Sequence, residues 1–308
     1  MDILNSPPQK SQKPVNFSSL LVLVGMGVAG LFISQFAAFV VAMPFCNFDI
    51  GLISAIAAAP DAYPDYKTVV LLMQGASSIF LFIGTSLLFI LGYRSEALSE
   101  YFEPLAQKGL GLALVTVVLM LMFMPFSGML VGLNEGIDLP DSQFETMLRA
   151  MEDRLKELTL FLTQFDSFGQ YLLGLVIVAV IPAIGEELLF RGVLQRLLSR
   201  LLKNSHVAIW LTAFLFGAFH FQFYGVIPRM MLGVLFGYLF LWSGNLKLPI
   251  LAHFINNGFT LTMLYLYQIG VVETNLEEVE HVPWLYAFLS LAVSAVLLWQ
   301  FKKIAHSK

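Results

Sequence analysis

The chain has 308 residues, of which 58% are hydrophobic and only 12% charged, and its formal net charge is -4. Soluble proteins average about 45–50% apolar and about 25% charged residues, so this composition excludes an ordinary water-exposed globule and makes a bilayer the natural solvent. The single cysteine, Cys46, excludes an internal disulfide and a paired-thiol redox or metal site.

Residues 1–16 are polar, carry Pro7, Pro8 and Pro14, and are expected to form a short cytoplasmic tail. Apolar runs follow at 17–43, 69–93, 109–133, 168–184, 207–224, 226–242, 249–269 and 284–301. A spanning helix needs about 20 mostly apolar residues. The expected fold is therefore all-α, a polytopic membrane bundle of about eight transmembrane helices over 17–301, with 302–308 as a second cytoplasmic tail. The sixth run, entered through Pro228 and Arg229, is the shortest and the most polar at its start. No linker, low-complexity tract or internal repeat divides the chain. Between the third and fourth runs, residues 142–165 place Phe144, Met147, Leu148, Met151, Leu155, Leu158 and Leu162 at helical spacing among acidic and basic residues. That pattern predicts an amphipathic helix outside the membrane, either capping the bundle or simply connecting two spans.

The charges are sorted along the sequence. With the N-terminus inside, the inner segments hold Lys10, Lys13, Arg94, Lys108, Arg191, Arg196, Arg200, Lys203, Lys247, Lys302, Lys303 and Lys308, most of the 17 basic residues. Most acidic residues fall in the outer segments: Asp49, Asp61 and Asp65, then the stretches 135–166 and 273–280. Cytoplasmic loops attract Lys and Arg, so both termini are expected in the cytoplasm of a multi-pass cell-membrane protein.

Ionisable groups inside apolar spans are costly and mark functional sites. Glu186 and Glu187 follow the fourth run, and Arg191 comes four residues after Glu187, the favoured order for a helical ion pair. Glu186, about 100° round the helix, is left free to point elsewhere. Taken alone, this run could equally be a solvated helix end. His220 lies in the fifth run behind Phe216, and His253 and Asn257 share a face near the start of the seventh; the plain alternative for each is a hydrogen bond between helices. The predicted topology brings most of these groups toward one cytoplasmic-side cavity, with His220 sitting deeper than the rest. A carboxylate beside a neutral imidazole can deprotonate water, and a second histidine with an amide can stabilise an oxyanion, which is the chemistry of peptide or ester hydrolysis. Glu186, His220 and His253 also offer mixed oxygen and nitrogen ligands for a catalytic zinc, so zinc-dependent and metal-free versions both fit. Local context implies no serine or cysteine nucleophile, with Ser199 and Ser243 left open.

Taken in order, Glu186-Glu187-x-x-x-Arg191, Phe216-x-x-x-His220 and His253-x-x-x-Asn257 resemble the motifs of the CPBP family of intramembrane proteases. That family joins CAAX-processing endopeptidases to bacterial bacteriocin-processing and Abi-like self-immunity proteins. The resemblance covers about a third of the chain, 168–267, and all three motifs are intact. It implies a helical eight-span fold and cleavage of a peptide bond in a peptide or membrane-anchored protein near the membrane surface, with the lipid bilayer as solvent and no nucleic-acid partner. It also implies roles. Glu186 with His220 activates water, His253 and Asn257 polarise or stabilise the carbonyl, and Glu187 with Arg191 supports the site. The competing reading is a noncatalytic immunity or peptide-binding protein that uses the same polar pocket. A proton-relay transporter would require matching inverted repeats with broken helices, which the sequence lacks.

Overall fold

The computed structural model describes residues 15–102, 104–140, 143–273 and 282–307. Lys10, Lys13, nearly all of the N-terminal tail, Ser142, most of the acidic stretch 273–280 and Lys308 lie outside the described residues. Within the described residues there is no strand, and the chain folds as α1 (Phe17–Ala42), α2 (Ile50–Ala58), α3 (Pro64–Arg94), α4 (Gly109–Glu135), α5 (Gln143–Thr163), α6 (Phe168–Leu202), α7 (Ser205–Ala218), α8 (Val226–Ser243), α9 (Lys247–Gln268) and α10 (Trp284–His306).

Each of the eight predicted runs is helical, and the amphipathic segment is α5. Among the described residues, six helices are long and apolar enough to cross a membrane: α1, α3, α4, α6, α8 and α10. The protein is thus a helical, multi-pass bundle, but the full count of eight is not reached by that criterion. α7 has only 14 residues, and α9 interrupts its apolar surface with His253, Asn256 and Asn257.

Two boundaries differ from expectation. The fourth run does not end at Ile184; α6, 35 residues long in all, continues to Leu202. Glu186, Glu187 and Arg191 look like an exit into water, yet all three are buried, and Glu187 and Arg191 meet each other's charge inside the bundle. Arg191 is therefore no loop charge. Conversely, the fifth run stops early. α7 ends at Ala218, and Phe221 adopts a left-handed backbone (φ 54°), so His220 lies in the turn beyond the helix rather than within it.

Helix α4 contains Pro125, and at that point α10 repairs the backbone. The Phe126 N–H donates to Ser290 Oγ (3.1 Å), and the same hydroxyl donates to the Met122 carbonyl, so a side chain is inserted into the i to i−4 ladder. Replacing Ser290 with alanine strands a buried donor and acceptor together and is expected to cost about 1–3 kcal/mol. Thermal unfolding in detergent reads this directly. An unchanged midpoint would show that α4 closes its own bond.

The two ends of the bundle differ in charge. At the start of α4, Lys108 donates to the Ser307 carbonyl beyond the end of α10. At the same end, Glu96 accepts from Arg94 (2.9 Å), Arg200 (3.2 Å) and the Tyr101 hydroxyl, while Arg196 lies over the Tyr101 ring. Burial opposes the charge on Glu96, but the bonds from Tyr101 and Arg94 and the charges of Arg94 and Arg200 outweigh it and hold the carboxyl below its usual range. At the far end of α4, about 40 Å away along 27 residues, Asn134 donates to the Phe223 carbonyl (3.2 Å) and accepts from the Ile227 N–H (2.9 Å). α5 belongs to this second end, where Arg154 meets Asp61 at 2.7 Å. Its Leu155, Leu158 and Leu162 turn toward the protein as expected, but Phe144, Met147 and Met151 face outward while Glu145 and Glu152 turn in. The turn bearing His220 lies at this end, opposite the arginine cluster.

Candidate functional site

The middle of α6 is shaped by Pro182. Proline has no N–H to give to the carbonyl four residues back, which is that of Val178, and its ring crowds that turn. The helix widens into π turns over Leu175–Val180 and again over Leu188–Gln195, so Glu186 and Glu187 sit on the short α-helical stretch between them. π-bulges recur at functional sites because they re-aim side chains. Gly185 brings this stretch against α3: a Cβ there would stand 2.8 Å from Phe82 Cβ.

From Glu187 a buried hydrogen-bonded chain runs across three helices. Glu187 Oε1 accepts from Arg191 Nη1 at 2.7 Å and from His253 Nδ1 at 2.8 Å. Asn257 Nδ2 donates to His253 Nε2 at 3.2 Å and to the Val178 carbonyl at 3.1 Å, which is the oxygen that Pro182 leaves unserved. The partners fix the proton positions. A carboxylate only accepts, so the His253 proton sits on Nδ1, and the Nε2 lone pair faces the amide. Arg191 also donates from Nη2 to the Gly233 carbonyl (3.1 Å), and Gln195, one turn on, donates to the Gly237 carbonyl (3.1 Å). Both glycines are needed for this approach of α8, since a Cβ on Gly237 would stand 2.8 Å from Ile209. Phe216 and Phe236 clamp the pair. The Arg191 guanidinium lies 4.5 Å from the Phe216 ring centroid and 5.2 Å from that of Phe236, and His253 stacks on Phe236 at 5.4 Å.

Glu186 and His220 stand beside this chain without joining it. Glu186 Oε2 is buried with no hydrogen-bond partner, and the charges acting on Glu186 are those of Glu187, Arg191 and Arg229. His220 Nδ1 bonds the Phe216 carbonyl at 2.9 Å, so the proton is on Nδ1 and the Nε2 lone pair remains available. Phe216 thus serves both halves of the site, with its ring on Arg191 and its carbonyl on His220. No hydrogen bond joins Glu186 to His220, so Glu187, Arg191, His253 and Asn257 form one unit and the expected water-activating pair stands apart from it. As arranged, both hydrogens of the Asn257 amide are engaged.

Among the described residues, no group of three His, Cys, Asp or Glu converges to hold a metal ion. Glu186, His220 and His253 do not fit one in this arrangement, since both His253 ring nitrogens are already bonded. Ser199 pairs with Ser205 (2.8 Å), and Ser243 donates to the Leu239 carbonyl (2.6 Å), so both hydroxyls are engaged locally. Sequence reasoning missed Gly233, Phe236 and the contacts of Arg229. An arginine inside an apolar run and two glycines four apart were the available signals.

Compared with known protein families, the segment that holds all seven motif residues matches the model described as type II CAAX prenyl endopeptidase Rce1-like, over residues 168–259. This segment is similar to that family. The family expectation taken from the three motifs is therefore met where the motifs lie, from the first residue of α6 to the middle of α9. Over 85 residues the chain is 33% identical to uncharacterized protein YpbD of Bacillus subtilis (strain 168), a match that covers 26% of this chain and 40% of that protein. No solved structure matches.

Proposed function

We propose that the protein is an intramembrane endopeptidase that hydrolyses a peptide bond of a membrane-associated protein or peptide. The observation that carries this reading is the buried, unpartnered carboxylate oxygen of Glu186 within an Rce1-like segment, in the field of the Arg191 and Arg229 guanidinium groups. An unsatisfied carboxylate in a dry interior is expensive, and such strain persists where it serves chemistry.

In this reading Glu186 takes a proton from water as it attacks the scissile carbonyl, and the free Nε2 of His220 shares that proton and returns it to the leaving amine. Asn257 polarises the carbonyl, and His253 joins it once a second proton occupies Nε2. For this, the amide must leave one of its two present acceptors as substrate enters. Glu187 and Arg191 hold His253 in register, and Phe216 and Phe236 keep the assembly dry. The basic end of the bundle faces the cytoplasm, with both termini, and the His220 turn opens toward the opposite, acidic end. Support for that orientation comes from the gathering of Arg94, Arg200 and Lys108 far from Asn134 and Phe223.

The test is cleavage of a diverse peptide pool by the purified protein in nanodiscs, beside a Glu186→Gln variant and with chelator and metal add-back. Cleavage that the variant lacks supports the reading. Loss on chelation with recovery on add-back would assign a metal requirement, and resistance to chelation would assign the metal-free version. A pool that binds without being cut by either protein would favour the peptide-holding alternative.

A further inference from the structure

Three polar side chains outside the motifs link the surface helix α5 to the site. Gln222 Nε2 donates to Glu152 Oε1 at 3.0 Å, and Arg229 Nη2 donates to Gln222 Oε1. The order cannot be reversed, because a carboxylate only accepts and a guanidinium only donates; the amide must turn its nitrogen to Glu152 and its oxygen to Arg229. Glu152 Oε2 and Arg229 Nη1 are each buried without a hydrogen-bond partner, so the two opposite charges meet only through the amide between them. Gly225 allows the arrangement, since a Cβ there would collide with the Arg229 guanidinium.

The position of this chain gives it a task. Gln222 lies two residues after His220, in a turn whose only regular bonds are short-range, such as the Phe221 N–H to the Ala218 carbonyl (3.1 Å). Asn134 secures the later part of the turn at Phe223 and Ile227, and Arg149 of α5 lies 4.5 Å from the Tyr224 ring centroid. The earlier part, which carries His220, is tied down through Gln222. The positive charge of Arg229 also acts on both His220 and Glu186.

We infer that Glu152, Gln222 and Arg229 form a positioning relay through which α5 fixes the His220 turn and holds a positive charge beside Glu186. The inference rests on the endopeptidase reading for its effect on rate, but not for its effect on the turn. Gln222→Glu keeps an acceptor for Arg229 and sets two carboxylates against each other across the former bond to Glu152. Adding Glu152→Gln reverses the polarity of that bond, so that the new amide donates to the new carboxylate with the net charge unchanged.

Hydrogen exchange of the amides 219–225 in nanodiscs is expected to quicken by about tenfold in Gln222→Glu and to return to the original rate in Glu152→Gln/Gln222→Glu. With a peptide that the protein cleaves, kcat falls by roughly tenfold or more in the single variant while KM holds, and the double variant recovers it. Unchanged exchange in the single variant, or a double variant no better than the single, overturns the relay. If wild type and Glu186→Gln prove equally inert, the endopeptidase reading fails, and the exchange experiment still decides whether the relay holds the turn.

Discussion

Replacing Glu187 with alanine is expected to destabilise the protein by about 3–5 kcal/mol and to abolish cleavage, the largest combined effect of any single change in the site. Glu187 is fully buried, and one of its oxygens carries both the Arg191 and the His253 bonds. Without it, a guanidinium with no solvent exposure keeps only the Gly233 carbonyl and two aromatic faces, and His253 loses the acceptor that fixes its proton. Glu187→Gln keeps one acceptor in place and should cost less, because geometry survives while the charge of Arg191 goes unbalanced. Unfolding in detergent, followed by heat or denaturant, separates the two variants. Near-equal stability of alanine variant and wild type would mean that Arg191 finds water or another anion, which is incompatible with a dry pair.

Glu186→Gln is expected to act in the opposite sense, removing about 10²–10⁴-fold of activity while leaving stability within about 0.5 kcal/mol. The neighbouring carboxylates differ in what they touch. Glu187 is bonded twice, whereas Glu186 Oε2 touches no donor, so a neutral isostere costs the fold little and costs proton transfer its base. Cleavage assays in nanodiscs with the folded variant give the answer. A variant that retains activity within a few-fold would move the water-activating role away from Glu186 and leave it as a local charge.

The parts of this site that could be read from sequence are those written in short-range spacing. Glu187 with Arg191 and His253 with Asn257 each lie four apart, and the structure joins both pairs by hydrogen bonds. What spacing cannot show is how deep a residue lies. A run of Glu, Glu and Arg after an apolar stretch has the composition of a helix leaving the membrane, yet α6 passes through it because Glu187 and Arg191 pair with each other and with groups on α9 and α8. The same blindness placed His220 in a helix. Nothing in the residues 216–220 announces the left-handed backbone at Phe221 that ends α7. The long-range links are also silent in sequence: Gly233 and Gly237 matter because Arg191 and Gln195 lie opposite their carbonyls, and Glu152 faces inward although its helical neighbours predict a solvated face.

The bond from Asn257 to the Val178 carbonyl makes Pro182 and Asn257 one unit built from two helices. The ring at 182 leaves an oxygen vacant in the wall of α6, and an amide from α9 takes it; the same amide then aims its second hydrogen at His253. An alanine at 182 would offer the oxygen a donor from its own helix, with better geometry and no entropy to lose. α6 would gain one backbone donor, and Asn257 would have to share that oxygen. Helix perfection and catalytic readiness compete here for a single lone pair, and the imperfect helix is the one that keeps the imidazole aligned.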